Sequence, residues 1–210
     1  MRSAVERGGA NLVDPANAEG LVWADPARPD LFPSVIDGAD DLSWVQLPYA
    51  GIEPFAQHLD DHLTWTCGKG VYAPAVAETV MALLLAVCKN LHGYSRTDTW
   101  SEPAGRQLAH SRVTVLGGGG IATSLLPLLA PFGCKTTVVR RTDVPLPGAD
   151  RTVTVDLLDG LLPQTDLLVL ALALTPQTSG IIDSRRMKLL PDDAWIVNVA
   201  RGGHVVTNDL

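Results

Sequence analysis

The second half of the chain alternates short apolar runs with leucine-rich segments of helical length, and this order predicts strands and helices in turn. Successive strand–helix units with short links are typical of a parallel, doubly wound α/β sheet. The run DLLVLALAL is apolar throughout, which favours a strand buried on both faces. The predicted strands are 112–117, 135–140, the start of 152–165, 166–174 and 194–200, and the predicted helices are 120–132, the rest of 152–165 and 183–190.

Two helix ends can be predicted from single residues. Pro127 and Pro131 lie within 120–132, and an interior proline costs roughly 3 kcal/mol or forces a kink. We therefore expect a kinked or shortened helix there. Asp183 precedes the last predicted helix, where a carboxylate can accept a hydrogen bond from the first N–H groups.

Residues 1–70 contain shorter elements, which predict a small α/β unit. A long apolar helix follows Pro74 and ends near Gly93. The predicted strands are 20–24, 42–48 and 63–67, and the predicted helices are 31–38, 54–60 and 75–91. We divide the chain into a first domain, 1–92, which ends in the long linking helix, and a second domain, 93–210, with the polar segment 95–111 as linker.

Composition and charge narrow the classes of partner. The 210 residues are 46% hydrophobic, enough for a globular core, and their net charge of −7 argues against a nucleic acid or an acidic membrane surface. The N-terminus has no apolar signal region, and the longest apolar run is too short to span a bilayer. Cys67, Cys88 and Cys134 predict neither a disulfide framework nor a zinc site. We expect a cytoplasmic protein with no nucleic-acid or membrane partner.

The sequence GGGGIA that begins at Gly117 matches the dinucleotide-binding pattern G-x-G-x-x-G/A between a predicted strand and a predicted helix. Gly117 would permit a tight turn, Gly119 the close approach of a pyrophosphate, and Ala122 close helix–strand packing. The N-terminal N–H groups of the helix, from Gly120 and Ile121, would face the phosphates. A purely structural turn is the alternative reading, while the missing Gly-Lys-Ser/Thr excludes a P-loop.

Two arginines stand where such a domain usually carries an acid. A carboxylate after the second strand would accept hydrogen bonds from the adenosine ribose and select NAD. Arg140 and Arg141 occupy this place, and a guanidinium suits a 2′-phosphate. We predict a preference for NADP, with NAD as a possible cofactor. The alternative is a pair of solvated surface charges.

Several segments together resemble the D-isomer-specific 2-hydroxyacid dehydrogenases, particularly the glyoxylate/hydroxypyruvate reductase-like members. The resembling segments are YAGIEPF (49–55), GVYAPAVAETVMALLLA (70–86), GGGGIATSLLPLLAPFGCKTTVVRR (117–141), LLPQTDLLVLALALTPQTSGIIDSRRMKLL (161–190) and AWIVNVARGGHVVTNDL (194–210). The resemblance implies a Rossmann nucleotide domain, a smaller flavodoxin-like substrate domain and an active site in the cleft. It also implies reduction of a small 2-oxo acid to a D-2-hydroxy acid.

The resemblance carries roles over to individual residues. Arg201 matches the arginine that holds the substrate carboxylate and carbonyl oxygen, and a guanidinium can bind a 2-oxo acid through two parallel hydrogen bonds. A structural ion pair is the alternative for this arginine. The other matching positions are Tyr49, Ala50 and Gly51 for the substrate carboxylate, Ala173, Thr175 and Thr178 beside the nicotinamide ribose, and Val199 and Ala200 alongside the nicotinamide.

The family carries a glutamate and then a proton-donating histidine some tens of residues after this arginine. The chain ends at Leu210, before either position, so we expect a C-terminally truncated member with both domains incomplete. Two hypotheses stay open: part of an oxidoreductase whose remaining region is absent, or a weak or inactive NAD(P)-binding protein. A third hypothesis is a methyltransferase that binds S-adenosylmethionine. Such an enzyme would carry an acid after the second strand, and Arg140 at that position argues against it. The family commonly dimerises through the nucleotide domain, which implies a homodimer if that domain is complete.

Three histidines could suggest further chemistry. His204 lies three residues after Arg201, close enough for a substitute general acid, but we interpret it as a residue of a variable position. His58 and His62 are four residues apart, on one face of the predicted helix, but lack the glutamate of HExxH. We expect no metal site.

Overall fold

A computed structural model describes residues 2–100 and 102–210; Met1 and Ser101, the latter within the predicted linker, lie outside the described residues. The chain divides into two compact units between Val71 and Tyr72. The sequence predicts a boundary at 92/93. The two boundaries differ because the long helix packs with the second unit. The α/β fold with parallel sheets that the sequence predicts is confirmed.

The first unit is a three-stranded parallel sheet in the order β1-β2-β3. Its elements are α1 (Arg2–Arg7), β1 (Gly20–Val22), α2 (Phe32–Ile36), β2 (Trp44–Leu47) and β3 (Thr64–Cys67), with 3₁₀ helices at Pro15–Asn17, Pro29–Leu31 and Glu53–His58. Its core is aromatic: the rings of Trp23, Phe32 and Phe55 meet edge to face at centroid distances of 5.4 to 6.2 Å. This packing closes a small unit whose strands are only three or four residues long.

Two helix predictions in the first unit need correction. The predicted helix 54–60 is a 3₁₀ helix that ends at His58. Beyond it, the Asp60 carboxylate accepts hydrogen bonds from the N–H groups of His62 and Leu63, so the chain turns away from helical geometry. His58 and His62 therefore do not share a helix face. The predicted helix 31–38 is shorter than expected, since α2 ends at Ile36.

The second unit is a five-stranded parallel sheet in the order β6-β5-β4-β7-β8. Its elements are α3 (Ala73–Cys88), α4 (Leu91–Tyr94), β4 (Arg112–Leu116), α5 (Gly120–Leu129), β5 (Lys135–Arg140), β6 (Arg151–Thr154), α6 (Leu158–Leu161), β7 (Leu167–Leu170), α7 (Ser184–Met187) and β8 (Trp195–Asn198), with 3₁₀ helices at Ala130–Phe132, Val155–Leu157, Leu162–Gln164, Gly202–His204 and Thr207–Asp209. Strand order reverses between β4 and β7, which makes their carboxyl ends the topological switch point.

The long helix α3 packs against α5 through one apolar core. Ala77, Val80 and Leu84 of α3 are fully buried in the same cluster as Leu125 and Leu129 of α5. Burying a valine or leucine side chain stabilises a fold by about 1.5–3 kcal/mol. The long helix is therefore part of the second unit's core.

The prolines shorten α5 as expected. Pro127 lies inside α5 on its exposed side, where its missing N–H costs one helical hydrogen bond. The α-helix ends at Leu129, and Pro131 stands in a final 3₁₀ turn. The predicted cap of α7 is also confirmed, because the Asp183 carboxylate accepts the Arg186 N–H at 2.8 Å.

The strand predicted at 166–174 is wrong in its second half. β7 ends at Leu170, where it still pairs with Leu116 of β4 and with Asn198 of β8. Beyond that level, β4 has entered its glycine turn, so the next residues lose their strand partner and form a loop. Apolar character there reflects packing of the loop, since Leu174 lies over Gly203.

The segment predicted as a polar linker is tied to the second unit. Leu108 is buried in the core of α3 and α5. Arg106 donates from Nη2 to the Asp166 carbonyl at 2.9 Å and pairs through Nη1 with Asp193 at 2.9 Å. Arg106 and Leu108 therefore attach the end of this stretch to the second unit.

Polar groups fix the start of β4 against the start of β7. The Asp166 carboxylate accepts the Arg112 backbone N–H at 2.7 Å and the Arg112 guanidinium at 2.7 and 3.2 Å. Burial raises the pKa of Asp166, but the hydrogen bonds and charge of Arg112 outweigh burial and hold that pKa below its ordinary value. Next to this pair, the hydroxyls of Thr114 and Thr165 meet at 2.7 Å inside the core.

Replacing Asp166→Asn should lower the free energy of unfolding by about 1–3 kcal/mol at pH 7, because charged hydrogen bonds to Arg112 are lost. The folded-state pKa lies below the unfolded value of about 3.9, so the carboxylate stabilises the fold above that value. Its contribution disappears as the pH falls through the folded-state pKa. Urea unfolding followed by circular dichroism should show the difference between wild type and variant shrinking below about pH 4.

The matched control is Asp30→Asn, which breaks the exposed Arg28–Asp30 ion pair. This change should leave unfolding unaltered within error, since exposed pairs contribute little. A pH-independent effect of Asp166→Asn would contradict the assignment of its stabilisation to the carboxylate charge.

Candidate functional site

Three loops of the second unit leave the sheet at one level. Leu116, Leu170 and Asn198 stand opposite one another as the last residues of β4, β7 and β8. The chain then continues as Gly117, Ala171 and Val199, whose N–H groups donate to the ends of neighbouring strands at 2.8 to 3.1 Å. The glycine-rich turn, the 171–178 loop and the loop that carries Arg201 are therefore neighbours at the carboxyl edge, where open α/β sheets bind ligands.

The first of these loops requires glycine at its first position. Gly117 has φ +110°, and a Cβ there would lie 2.3 Å from the Ala171 carbonyl oxygen. The turn after β4 therefore passes directly against the chain leaving β7, in a conformation that side chains rarely adopt. Gly119 differs: its φ is −91°, and a Cβ there would meet no atom within 4 Å.

The start of α5 fits a pyrophosphate. The first helical hydrogen bond runs from Thr123 N–H to the Gly119 carbonyl, so the N–H groups of Gly120, Ile121 and Ala122 precede it at the helix end. Gly119 and Gly120 are exposed, whereas Ala122 is fully buried against the core. A bare backbone with open space before a helix N-terminus is what an anionic phosphate group needs.

Arg140 lies beside this turn. It ends β5, is half-buried, and its side chain crosses Gly118, where a Cβ would lie 3.0 Å from the arginine Cδ. Its Nη1 donates to the Val144 carbonyl at 3.5 Å, and Arg141 next to it is exposed. Two permanent positive charges therefore stand at the end of the strand next to the glycine turn.

The 171–178 loop is closed by the hydroxyl of Thr178. That oxygen accepts the Thr175 N–H at 2.8 Å and donates to the Ala173 carbonyl at 2.7 Å. Thr175 and Ala173 are exposed, and Thr178 is half-buried. All three predicted residues thus lie in one compact turn, within which the Thr178 hydroxyl is hydrogen-bonded.

The loop after β8 presents Arg201. Arg201 is exposed, and its Nη1 donates to the Ala200 carbonyl at 3.0 Å. Asn198 shapes this turn: its Oδ1 accepts the Ala200 N–H at 3.0 Å, and its Nδ2 donates to the Arg201 carbonyl at 2.9 Å. Val199 and Ala200 are half-buried between Asn198 and the arginine.

In the first unit, the predicted loop of Tyr49, Ala50 and Gly51 follows β2. Gly68 comes directly after β3, and a Cβ there would lie 2.6 Å from the Pro48 carbonyl oxygen. The two chains therefore pass very close at the carboxyl edge of this small sheet. Tyr49 and Gly51 are half-buried and Ala50 is exposed.

Two residues of the second unit escaped sequence reasoning. Asn198 could have been found, because an asparagine two residues before an N–H that must be held in a turn is a known local pattern. The sequence indicates only a variable position for His204, whereas its side chain is fully buried with both ring nitrogens next to backbone carbonyls. Burial of this kind depends on distant chain segments and leaves no local pattern.

Within residues 2–100 and 102–210, no group of three or more His, Cys, Asp and Glu side chains is arranged to hold a metal ion. Among the same residues, no helix has both the length and the apolar character to cross a membrane.

Comparison with known proteins finds a family model that matches more than half of the chain. A sequence model of the "D-isomer specific 2-hydroxyacid dehydrogenase, NAD binding domain" matches residues 81–210. The chain is 31% identical over 215 residues to an uncharacterized protein from the proB 3′ region of Corynebacterium melassecola, covering 98% of this chain and 69% of that protein. It is 30% identical over 134 residues to glyoxylate/hydroxypyruvate reductase A of Enterobacter sp. strain 638, covering 60% and 43%.

Solved structures show the same relationship. The NADPH-dependent glyoxylate/hydroxypyruvate reductase from Sinorhizobium meliloti, in complex with NADP and sulfate, is similar with a TM-score of 0.79 and 25% identity. That match covers 99% of this chain and 71% of the other. The chain thus spans from 43% to 71% of the lengths of these three proteins.

The two glycines of the turn should respond differently to alanine. Gly117→Ala should lower the free energy of unfolding by at least about 1–3 kcal/mol, because its Cβ meets the Ala171 carbonyl at positive φ. Gly119→Ala is the matched control and should change stability by no more than about 0.5 kcal/mol, since its Cβ points into open space. Urea unfolding of both variants would measure this, and equal stability of the two would contradict the close approach at Gly117.

Proposed function

The chain belongs to the D-isomer specific 2-hydroxyacid dehydrogenase family, and from this membership we propose that it serves the NADPH-dependent reduction of a small 2-oxo acid to a D-2-hydroxy acid. Glyoxylate and hydroxypyruvate are the substrates proposed, after the names of its relatives. The observation that carries the proposal is the common edge at which the glycine turn, Arg140 and the Arg201 loop begin. This common edge supports the proposal, because a phosphate at the glycine turn and a carboxylate at Arg201 would then bind around one end of the sheet.

We propose that the pyrophosphate, the adenosine ribose and the nicotinamide of the cofactor each bind a different segment along this edge. We propose that Gly117, Gly119, Gly120 and Ile121 bind the pyrophosphate through the backbone, where open space at Gly119 and the helix N–H groups favour an anion. Beyond the turn, Arg140 and Arg141 would bind the 2′-phosphate of the adenosine ribose. The remaining proposed contacts are Ala173, Thr175 and Thr178 with the nicotinamide ribose, and Val199 and Ala200 with the nicotinamide.

When bound, the reduced nicotinamide would supply a hydride for the carbonyl carbon of the 2-oxo acid, and a general acid must supply the proton for the carbonyl oxygen. Arg201 would bind and polarise that acid, because its planar guanidinium can donate two parallel hydrogen bonds to a carboxylate or carbonyl oxygen. Asn198 would keep this arginine in place through its two hydrogen bonds across the turn. In the first unit, the backbone of Tyr49, Ala50 and Gly51 is the proposed site for the substrate carboxylate.

We further propose that the protein works in a reducing cytoplasm, in keeping with the free thiols of Cys67, Cys88 and Cys134. A homodimer formed through the nucleotide-binding unit is proposed from the family alone.

NADPH should bind at least about tenfold more tightly than NADH, since a charged contact to phosphate contributes on the order of 1.4 kcal/mol or more. Replacing Arg140→Asp together with Arg141→Ser should abolish this preference, because NADPH loses both guanidinium contacts while a carboxylate at this place can accept hydrogen bonds from the ribose of NADH. Isothermal calorimetry with both nucleotides would measure it. Arg151→Ser is the matched control, because Arg151 is an exposed arginine at the opposite end of the neighbouring strand. An unchanged preference for NADPH over NADH in the double variant would contradict the assignment of Arg140 and Arg141 to the 2′-phosphate.

Arg201→Lys should weaken binding of oxamate, an unreactive analogue of 2-oxo acids, by about tenfold or more in the presence of NADPH, because lysine keeps the charge but loses the planar fork. Affinity for NADPH itself should stay within about twofold. Fluorescence titration gives both values, and Arg185→Lys, an exposed arginine paired with Asp159, serves as control. If wild type binds NADPH but not oxamate, a dinucleotide-binding role without turnover becomes the better hypothesis.

A further inference from the structure

His204 is a fully buried histidine between two loops of the site. Its Nδ1 lies 3.0 Å from the Thr178 carbonyl oxygen and its Nε2 lies 3.1 Å from the Leu172 carbonyl oxygen. Carbonyl oxygens only accept, so each contact must be donated by the ring. Neutral imidazole carries one N–H and the protonated ring carries two. The ring therefore holds one end of the segment 172–178 in either neutral tautomer, and both ends when protonated.

The backbone around His204 joins the same two parts of the chain. Ile182 N–H donates to the His204 carbonyl at 2.9 Å, and Gly180 N–H donates to the Gly203 carbonyl at 2.8 Å. Ile182 and Val205 form an isolated parallel bridge at this point. The segment that follows the 171–178 loop is thus hydrogen-bonded to the segment that follows Arg201.

Side-chain packing completes this connection. Leu174 lies in the middle of the 171–178 loop and covers Gly203, where a Cβ would be 3.3 Å from the leucine Cδ2. Burial of the imidazole among backbone carbonyls also leaves it no path to a substrate atom. His204 therefore acts on the geometry of its surroundings and not on the reacting groups.

We infer that His204 is a positioning residue that fastens the loop after β7 to the loop after β8 and so sets the spacing between the two walls of the nicotinamide half of the site. The identity of the ligand rests on the proposed function. The pyrophosphate turn and Arg140 lie on other segments, so the adenosine half should not depend on His204. Loss of the ring's N–H groups should therefore affect one half of the cofactor only.

Three variants separate this role from general stability. His204→Phe keeps an aromatic ring and removes both N–H donors, and His204→Gln keeps an amide donor for one carbonyl. Val113→Ala is the control: Val113 is buried at the opposite, amino end of β4, so the variant loses core packing without touching either loop. For each protein, calorimetry would give the affinity for NADPH and for adenosine 2′,5′-bisphosphate, which lacks the nicotinamide half. Hydrogen exchange would follow the amides of 172–182 without any ligand.

His204→Phe should lower the affinity for NADPH by about tenfold, because about one hydrogen bond's net contribution is lost. The affinity for the bisphosphate should stay within about twofold of the wild-type value. Amide exchange in 172–182 should speed up by about tenfold. For His204→Gln, both the affinity for NADPH and the exchange rate in 172–182 should lie between the values of His204→Phe and wild type. Val113→Ala should lower the unfolding midpoint while leaving the ratio of the two affinities and the local exchange pattern unchanged.

The inference would be overturned if His204→Phe lost equal affinity for NADPH and for the bisphosphate. It would also be overturned if amides 172–182 exchanged no faster in His204→Phe than in Val113→Ala. Should His204→Phe fail to fold, His204→Gln supports the same comparison. A wild-type chain that binds neither ligand would refute the proposed function, while the exchange measurement would still decide whether His204 fastens the two loops. Normal wild-type binding with no change in either His204 variant would refute only the positioning role.

Discussion

The parallel register that ends β4, β7 and β8 at one level is the constraint on which the site depends. Because hydrogen bonds between the strands hold Leu116, Leu170 and Asn198 side by side, the three following loops must begin next to one another. Space between them is then so limited that only a glycine can follow Leu116, as the 2.3 Å approach at Gly117 shows. The position of the site is therefore set by the geometry of the sheet, and the side chains of the loops act within that geometry.

Short polar side chains give these loops their shape. Thr178 closes one turn, Asn198 closes another, and the His204 ring contacts the Leu172 and Thr178 carbonyls, so all three side chains bond to backbone groups. Backbone polar groups that leave a sheet need partners, which Thr178 and Asn198 supply over spans of a few residues and His204 supplies from a distant segment. The exposed residues of the site therefore rest on side chains whose polar atoms are bonded to the loop backbone.

Much of this fold could be predicted from the sequence because its causes are local. Apolar runs such as 135–140 and 112–116 are strands, and the glycines between a strand and a helix mark the turn. What could not be predicted depends on neighbours far along the chain. Leu170 ends β7 only because β4 turns away, and Arg106 is structured only because Asp166 and Asp193 lie near it. His204 is buried for the same kind of reason, so its setting was missed, while the roles of Arg140 and Arg201 toward ligands stay predictions.

The buried threonines Thr114, in β4, and Thr165, just before β7, illustrate how such a core can change over evolution. Thr165 donates its single hydroxyl proton to the Leu161 carbonyl at 3.0 Å, so at the 2.7 Å contact Thr114 must be the donor and Thr165 the acceptor. Loss of Thr165 alone would leave the Thr114 hydroxyl buried without an acceptor, whereas loss of Thr114 alone leaves Thr165 still bonded to Leu161. An evolutionary route from this pair to two valines is therefore directional: Thr114 changes first, and relatives that carry valine at 165 with threonine at 114 should be rare.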